Sequence, residues 1–464
     1  MQLTSNGTLK QRVLNAGSWT LGGHVLGQLI RLGSNLLMTR MLVPEAFGLM
    51  GIVIVLMIGF ALFSDLGISQ NIVRSPRGDD AAFLDTAWTV QIVRGVFIWI
   101  LATLSAIALP WASSHGWIKA GTVYADPLLP WVIAAYSLTT VISGFTSTKV
   151  ATARRHMKLR GVTQIEVISQ LVALVAMAAF AWWSHSIWAL VAGSLISSLI
   201  SMLLGHMVLP GHANHLAWDR SIVIDLLSFG KWVFLSSMIG FLVVNGDRLL
   251  LGGMIDAQTM GQYTIAFLLV NAVQMVMSMA TGNVVFPALS EVALQRPADL
   301  AVTANKFQRL GDIFLVSACG FLIVAGSTIV GLLYDSRYQS AGPMLSMLAI
   351  GTIGLRYQVV EQCYLALGKP YIGTVTNLLR LAVLYAGLPI AFNFYQFSGA
   401  MAVIVASQFA GWPVAIYFKI KYGLMDLRVE LTAIPLLAAG LLLGFAFKFV
   451  MPTRHVLRSI LNYS

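Results

Sequence analysis

The sequence predicts an all-α polytopic membrane protein whose helices form two six-helix lobes related by an internal repeat. Three observations predict it. Of 464 residues, 58% are hydrophobic and only 10% are charged, against roughly 25% charged in ordinary soluble domains. Mean hydropathy is +0.80, and apolar runs of about 20 residues, the length that spans a bilayer core, recur along the chain. An offset of 213 residues superimposes the first such run on the seventh.

Thirteen spans are expected, at 16–39, 47–67, 88–110, 128–148, 163–183, 186–206, 230–252, 261–285, 312–334, 343–367, 372–393, 397–418 and 430–450. Turn and charge signals separate them, as in LVPEAFG, RSPRGDD, ARRHMKLR, LPGHANH and LGKPY. Lys10 and Arg12 precede the first run without a cleavage site behind a short apolar core, so no cleavable signal peptide is expected. With the N-terminus inside, the cytoplasmic segments hold 18 Lys and Arg, and the outer segments hold 6. That excess fits the positive-inside rule. It also accounts for the net charge of +11 without nucleic acid as a partner. Residues 451–464 are too short to span; they suit an interfacial helix with Val456, Leu457, Ile460 and Leu461 toward lipid.

In the repeat, Gly17 meets Gly230, Trp19 meets Trp232, Gly27 meets Gly240 and Gly33 meets Gly246, with 11 of 40 positions matched over 17–56. Six helices separate the copies, so orientation is preserved and the repeat is parallel. The expected domains are an N-terminal lobe at 1–210, a C-terminal lobe at 211–420, and an extra helix and tail at 421–464.

Five arginines fall inside spans: Arg31, Arg94, Arg248, Arg356 and Arg380. Facing lipid, they would cost on the order of 12–17 kcal/mol together. Arginine does not shed its proton, so all five must face protein or water. In the first helix His24, Gln28, Arg31 and Asn35 fall within an arc of about 60°. The stripe reads as a water-filled cavity wall; the alternative is a polar seam against a neighbouring helix. A second stripe, Asn271, Gln274, Ser278 and Thr281, fits either reading. Gln91 lies one turn from Arg94, and Asn377 one turn from Arg380. Arg356 and Glu361 share a span but are five apart, so each should pair across helices, Glu361 in a structural ion pair.

The run NGDRLLLGG at 245–253 sets Asp247 beside Arg248 inside a span. In the repeat register Arg248 is the counterpart of Asn35, which directs it toward the central axis. Asp247 is left to pair elsewhere in the C-terminal half or to couple an ion. The alternative places both residues at the outer interface.

Much chemistry is not expected. Cys319 and Cys363 both fall in spans, so neither a disulfide framework nor a thiolate metal site is supported. His206, His212 and His215 make only a weak metal pattern. No phosphate-cradling loop is present, and no cofactor is called for. The longest outer loop, near 111–127, carries Asp126 without a second carboxylate. This disfavours an enzyme, including a membrane glycan polymerase or ligase.

The stretches TRMLVPEAFGLMGI at 39–52, LFSDLGISQNIVR at 62–74, FLDTAWTVQIVRG at 83–95 and FGKWVFLSSMIGFLVVNGDRLLLGG at 229–253 resemble the polysaccharide flippases of the multidrug/oligosaccharidyl-lipid/polysaccharide exporter superfamily, in its exopolysaccharide branch. The likeness covers about the first 290 residues, and beyond them LALGKP at 365–370. It implies a bacterial inner-membrane transporter that flips undecaprenyl-pyrophosphate-linked oligosaccharide for exopolysaccharide, capsule or O-antigen synthesis. It further implies alternating access around a central cavity, proton or sodium coupling, and polysaccharide polymerase machinery as a partner. Many members have fourteen spans rather than thirteen. Expected cavity residues are His24, Gln28, Arg31, Asn35, Arg94, Arg248, Arg356 and Arg380, with Asp247 and Glu361 for coupling or pairing. The alternative within the superfamily is a cation-coupled multidrug exporter, which would need acidic groups in its cavity.

Overall fold

The computed structural model describes residues 9–64 and 67–451, with side chains described from Gly22 onward except at 227–236. The expected tail helix, with Val456, Leu457, Ile460 and Leu461, lies outside the described residues. So do the side chains of Trp19 and Trp232. All regular structure among the described residues is helical.

The chain forms two compact units, Met1–Phe241 and Leu242–Ser464. Unit 1 contains α1 (Leu9–Met41), α2 (Pro44–Phe63), α3 (Ile68–Arg74), α4 (Ala81–Ser114), α5 (Leu129–Gly144), α6 (Lys149–Arg155), α7 (Leu159–Ser184) and α8 (Trp188–Met207). Helix α9 (Arg220–Gly252) carries the chain from the first unit into the second. Unit 2 continues with α10 (Ala257–Ala280), α11 (Phe286–Gln295), α12 (Leu300–Leu333), α13 (Ala341–Ile353), α14 (Gln358–Ala366), α15 (Tyr371–Phe409), α16 (Trp412–Lys421) and α17 (Leu427–Val450). The division falls inside α9 rather than at the expected 210. The helix expected to stand apart, α17, packs within unit 2 along α12. There a Cβ added to Gly440 would sit 2.3 Å from the Ser317 carbonyl oxygen. Only glycine permits that approach, the small-residue crossing typical of membrane helices.

Among the described residues, eight helices are long and apolar enough to cross a membrane. The number is nine if Leu129–Gly144 and Lys149–Arg155, bent by 62°, form one span. Helix α2 is apolar around most of its circumference and is buried on several sides. The helical run Tyr371–Lys421 has 51 residues, far more than the roughly 20 that one crossing needs. Gln396 breaks it, with φ 51° and ψ −142°, at the gap between the spans expected at 372–393 and 397–418.

At one end of unit 1, two hydrogen-bonded clasps hold the loops. The first is Arg155, at the end of α6. Its guanidinium donates to the carbonyl oxygens of Ile72, Val73 and Ser75 at 2.9, 2.9 and 2.7 Å. It thereby satisfies carbonyls around the C-terminus of α3. The same side chain reaches Asp79 at 3.0 Å, and His156 reaches that carboxylate at 2.8 Å. Burial pushes the Asp79 carboxyl up, but bonds and charge from His156 and Arg155 outweigh this and hold it below its ordinary value. Its contribution to stability is therefore present above the ordinary carboxylate value and is lost as pH falls below it, through the group's own lowered value.

The second clasp is the segment between α8 and α9. The backbone N–H groups of His215, Ala217 and Asp219 donate to Asp85 Oδ1 (2.9 Å), Thr89 Oγ1 (3.0 Å) and Thr86 Oγ1 (3.3 Å). Every second amide of this extended segment thus points to α4. His212 adds a bond to Asp85 at 2.8 Å. Asn214 meets Ser147 and the backbone and side chain of Thr148. His206 is held by the Phe145 carbonyl at 2.8 Å. These histidines are structural fasteners in the described chain.

Replacing Asp85 by Ala should leave the His215 amide and the His212 ring without their acceptor. The expected loss is about 1–3 kcal/mol, read as a lower midpoint of thermal unfolding in detergent. An unchanged midpoint would show that the segment is held without Asp85.

Candidate functional site

Unit 1 encloses a cavity of about 1130 Å³. Arg31 of α1 and Arg94 of α4 both line it, together with Gln91 and Gln170. Their charges are placed differently. Arg94 donates to the Ala61 carbonyl at 2.7 Å and to Ser64 Oγ at 3.2 Å. It thereby caps the C-terminus of α2, where a cation also suits the helix dipole. Gln91 donates to the carbonyls of Ser143, Gly144 and Thr146, closing the end of α5. The α4–α5 contact that brings these residues to the cavity needs Gly95: an added Cβ would lie 2.5 Å from the Thr140 carbonyl oxygen. Arg31 is exposed and has no hydrogen bond or ion pair with another described side chain. His24, Gln28 and Asn35 are half-buried on the same helix, and each holds an interaction of its own. They do not line this cavity.

Three features of the cavity were not expected. Arg154 lines it from α6, paired at 3.4 Å with the exposed Glu166. The wall is rich in hydroxyls, with Thr139, Thr140 and Ser143 from α5 and Ser194, Ser197 and Ser198 from α8. The serines at i, i+3 and i+4 share one helix face, which is the signal the sequence held. Among the described residues, no carboxylate lines the cavity. It therefore offers three guanidinium groups and many hydroxyls and amides, a set that favours an anionic, polyhydroxylated ligand.

In unit 2, the adjacent Asp247 and Arg248 diverge. Asp247 is buried and accepts a bond from Tyr263 Oη, leaving Oδ1 without a partner. Arg248 donates to Asn245 Oδ1, and its guanidinium lies 4.1 Å from the Phe267 ring centroid. Its Nε is buried without a partner. Arg380 sits 3.7 Å from Glu361, which also accepts from Thr376 Oγ1 at 3.3 Å.

Arg356 differs most from its expected place on a cavity wall. It is 5% exposed and bonds Asp312 at 2.6 Å and Glu430 at 3.0 Å. Lys419 bonds Glu430 as well and donates to Gln308 at 2.6 Å. Tyr357 donates to Glu430 at 2.9 Å. Two cations and two anions thus close a buried network that ties α12, α16 and α17 together. Asp312 is buried and Glu430 half-buried, so unit 2 holds acids inside its helices besides Asp247 and Glu361. Glu361 pairs across helices with Arg380, not with Arg356. In the stripe of α10, Gln274 donates to Thr352 Oγ1 at 3.0 Å, so that residue belongs to a seam with α13.

The profile of the family described as Polysaccharide biosynthesis protein matches residues 37–343. The chain is 21% identical over 408 residues to Lipopolysaccharide biosynthesis protein WzxC of Escherichia coli (strain K12), covering 87% of this chain and 77% of that one. It is 22% identical over 436 residues to a Putative O-antigen transporter of Shigella flexneri, covering 90% and 94%. In fold it is similar to Lipid II flippase MurJ in an inward closed conformation, with TM-score 0.68 and 13% identity over 95% of this chain and 93% of that one.

Removing one member of a buried ion network leaves its partners charged and unpaired, which costs about 3–5 kcal/mol. Arg356→Ala should therefore reduce the folded protein recovered from membranes and lower its unfolding temperature sharply. A well-folded but transport-dead Arg356→Ala would instead assign Arg356 to the transport path.

Proposed function

Because the chain belongs to the polysaccharide biosynthesis protein family, we propose that it is a flippase. It moves undecaprenyl-pyrophosphate-linked oligosaccharide repeat units across a bacterial inner membrane for exopolysaccharide, capsule or O-antigen synthesis. The observation that carries this reading is the unit 1 cavity, with three arginines and, among the described residues, no lining carboxylate. A pyrophosphate bears the charge that guanidinium forks match in pairs of hydrogen bonds. The hydroxyls and amides of α5 and α8 suit the sugar. Arg31, whose donors are uncommitted among the described residues, is the residue we assign to the phosphates. Arg94 and Gln91 shape the wall while capping α2 and α5. Flipping breaks no covalent bond, so the reading needs no catalytic pair and no cofactor. A cation-coupled drug exporter would require carboxylates in this cavity.

The finer points of the reading are a parallel repeat of six-helix halves, thirteen spans, alternating access and a cytoplasmic N-terminus. The 213-residue offset supports the repeat, and the Lys and Arg asymmetry supports the orientation. Asp247, with its unpartnered Oδ1, is the residue we assign to proton or sodium coupling. Arg248 remains a candidate for the substrate path in unit 2.

Arg31→Ala should lower polymer export by about ten- to a hundredfold, the equivalent of a charge-assisted bond worth roughly 1.5–3 kcal/mol. Arg31→Lys should recover only part of it, since Lys offers a point charge. Complementation of a deletion strain, with membrane expression checked, measures both. Full export from Arg31→Ala would reject the cavity as the phosphate site.

Orientation has its own test. Cysteines placed at Lys119 and Lys158 should react differently with an impermeant maleimide in intact cells, 119 labelled and 158 protected. The reverse pattern would invert the topology.

A further inference from the structure

The wall of the unit 1 cavity has a polarity of its own. We infer that it selects repeat units whose phosphate-linked sugar is uncharged and rich in hydroxyl or amide protons, and that it rejects those in which this sugar is a uronic acid. The inference rests on the flippase reading and adds a substrate class. It concerns only the sugar joined to the pyrophosphate.

The charges in the cavity leave no room for a second anion. Arg31, Arg94 and Arg154 line it, and Glu166 answers Arg154 at 3.4 Å. Three cations less one anion leaves two positive charges. A pyrophosphate in diester linkage bears two negative charges, one on each phosphorus, and matches them. A carboxylate on the adjoining sugar would then lie in the cavity with no cation left to pair with it. A charge taken from water without a partner is costly.

Hydrogen bonding points the same way, because the protons of the wall are already spent. The Gln91 amide nitrogen donates to the carbonyls of Ser143, Gly144 and Thr146 at 3.2, 3.0 and 3.0 Å. Those three carbonyls fix the amide's orientation, since an oxygen in that place would face three others. The group Gln91 has left for a ligand is its oxygen, which accepts no bond among the described residues and is not sealed from solvent. On α5, Thr139 Oγ1 donates to the Tyr136 carbonyl at 2.7 Å. Thr140 Oγ1 donates to the carbonyls of Ser137 at 2.7 Å and Gly95 at 3.0 Å. On α8, Ser194 Oγ donates to the Leu190 carbonyl at 2.9 Å, and its other partner is the Tyr136 hydroxyl. Either way its proton stays within the wall.

Helical serines and threonines often bond back to their own turn, and what they then offer a ligand is a lone pair. Three helices thus present acceptors: Gln91 from α4, Thr139 and Thr140 from α5, and Ser194 from α8. Ser143, Ser197 and Ser198 carry hydroxyls that can turn either way, so they serve any sugar. Hydroxyl and amide protons of a neutral sugar satisfy the acceptors. A carboxylate has only lone pairs to set against them, and it is this repulsion that discriminates. Gln91 lies three residues from Arg94, so acceptor and guanidinium are neighbours on one face of α4. The sugar beside a phosphate held by the arginines is therefore the one that meets the acceptors.

The test uses two undecaprenyl-pyrophosphate-linked monosaccharides, glucose and glucuronic acid, which differ only at C6. Transport of each is followed at neutral pH in proteoliposomes holding the full chain. The wild type should move the glucose substrate at least about tenfold faster, equivalent to about 1.4 kcal/mol of barrier. Two variants should raise the glucuronate rate and narrow the ratio to about threefold or less. Gln91→Lys keeps donors for the three carbonyls while replacing the acceptor by a cation. Glu166→Gln, at an exposed position outside the cavity lining, frees the charge of Arg154. A gain of transport is a readout that damage to the fold does not mimic. Equal wild-type rates, or a glucuronate rate that neither variant raises, would overturn the inference while leaving the flippase reading in place. Movement of neither substrate by the wild type would defeat that reading, and the inference with it.

Discussion

An arginine side chain keeps its charge at any depth in a membrane, and hydrocarbon gives that charge nothing to bond. Much of this architecture follows from where five such groups are put. Arg356 is neutralised by Asp312 and Glu430, and Arg380 leans on Glu361. Arg94 is turned onto backbone carbonyls at the end of α2. Arg248 lies against Asn245 and the face of Phe267. Arg31 is the exception, facing an aqueous-sized space without a described partner. The four committed arginines hold helices in place, which leaves the fifth as the clearest recruit for a ligand.

The same economy governs the ends of helices. Cavity-lining α5 terminates on Gln91 and α2 on Arg94. The residues that bound the cavity are therefore also those that satisfy terminal carbonyls. A substitution at Gln91 or Arg94 alters the wall and the helix end together. Loss of function there has two sources, whereas at Arg31 it has one.

Much of the helical plan was legible in the sequence, because hydropathy reports burial in lipid directly. The gap between 393 and 397 coincides with the break at Gln396, and Arg31 and Arg94 share a cavity. The network around Glu430 was not legible. Asp312 and Glu430 each stood on the first residue of an expected span, and Lys419 just past the end of one, where a charge is ordinarily left to water. Real helices run on: α12 begins at Leu300, a full three turns before the apolar window. Charges that look terminal are then inside packed helices, and only tertiary structure shows which ones meet. The hydroxyl wall was hidden for a related reason, since serines on a membrane helix serve a seam or a cavity equally well.

The segment from His212 to Asp219 sets a rule on its own length. Its amides meet α4 alternately, at 215, 217 and 219, and an extended chain presents its two sides with a period of two. Inserting one residue before His215 turns those amides away from Asp85, Thr86 and Thr89 and swings their neighbours inward. Inserting two restores the phase at the expense of a bulge. Length variation here should therefore be quantised in pairs, a parity constraint on a connection that hydropathy alone would class as a loop free to drift.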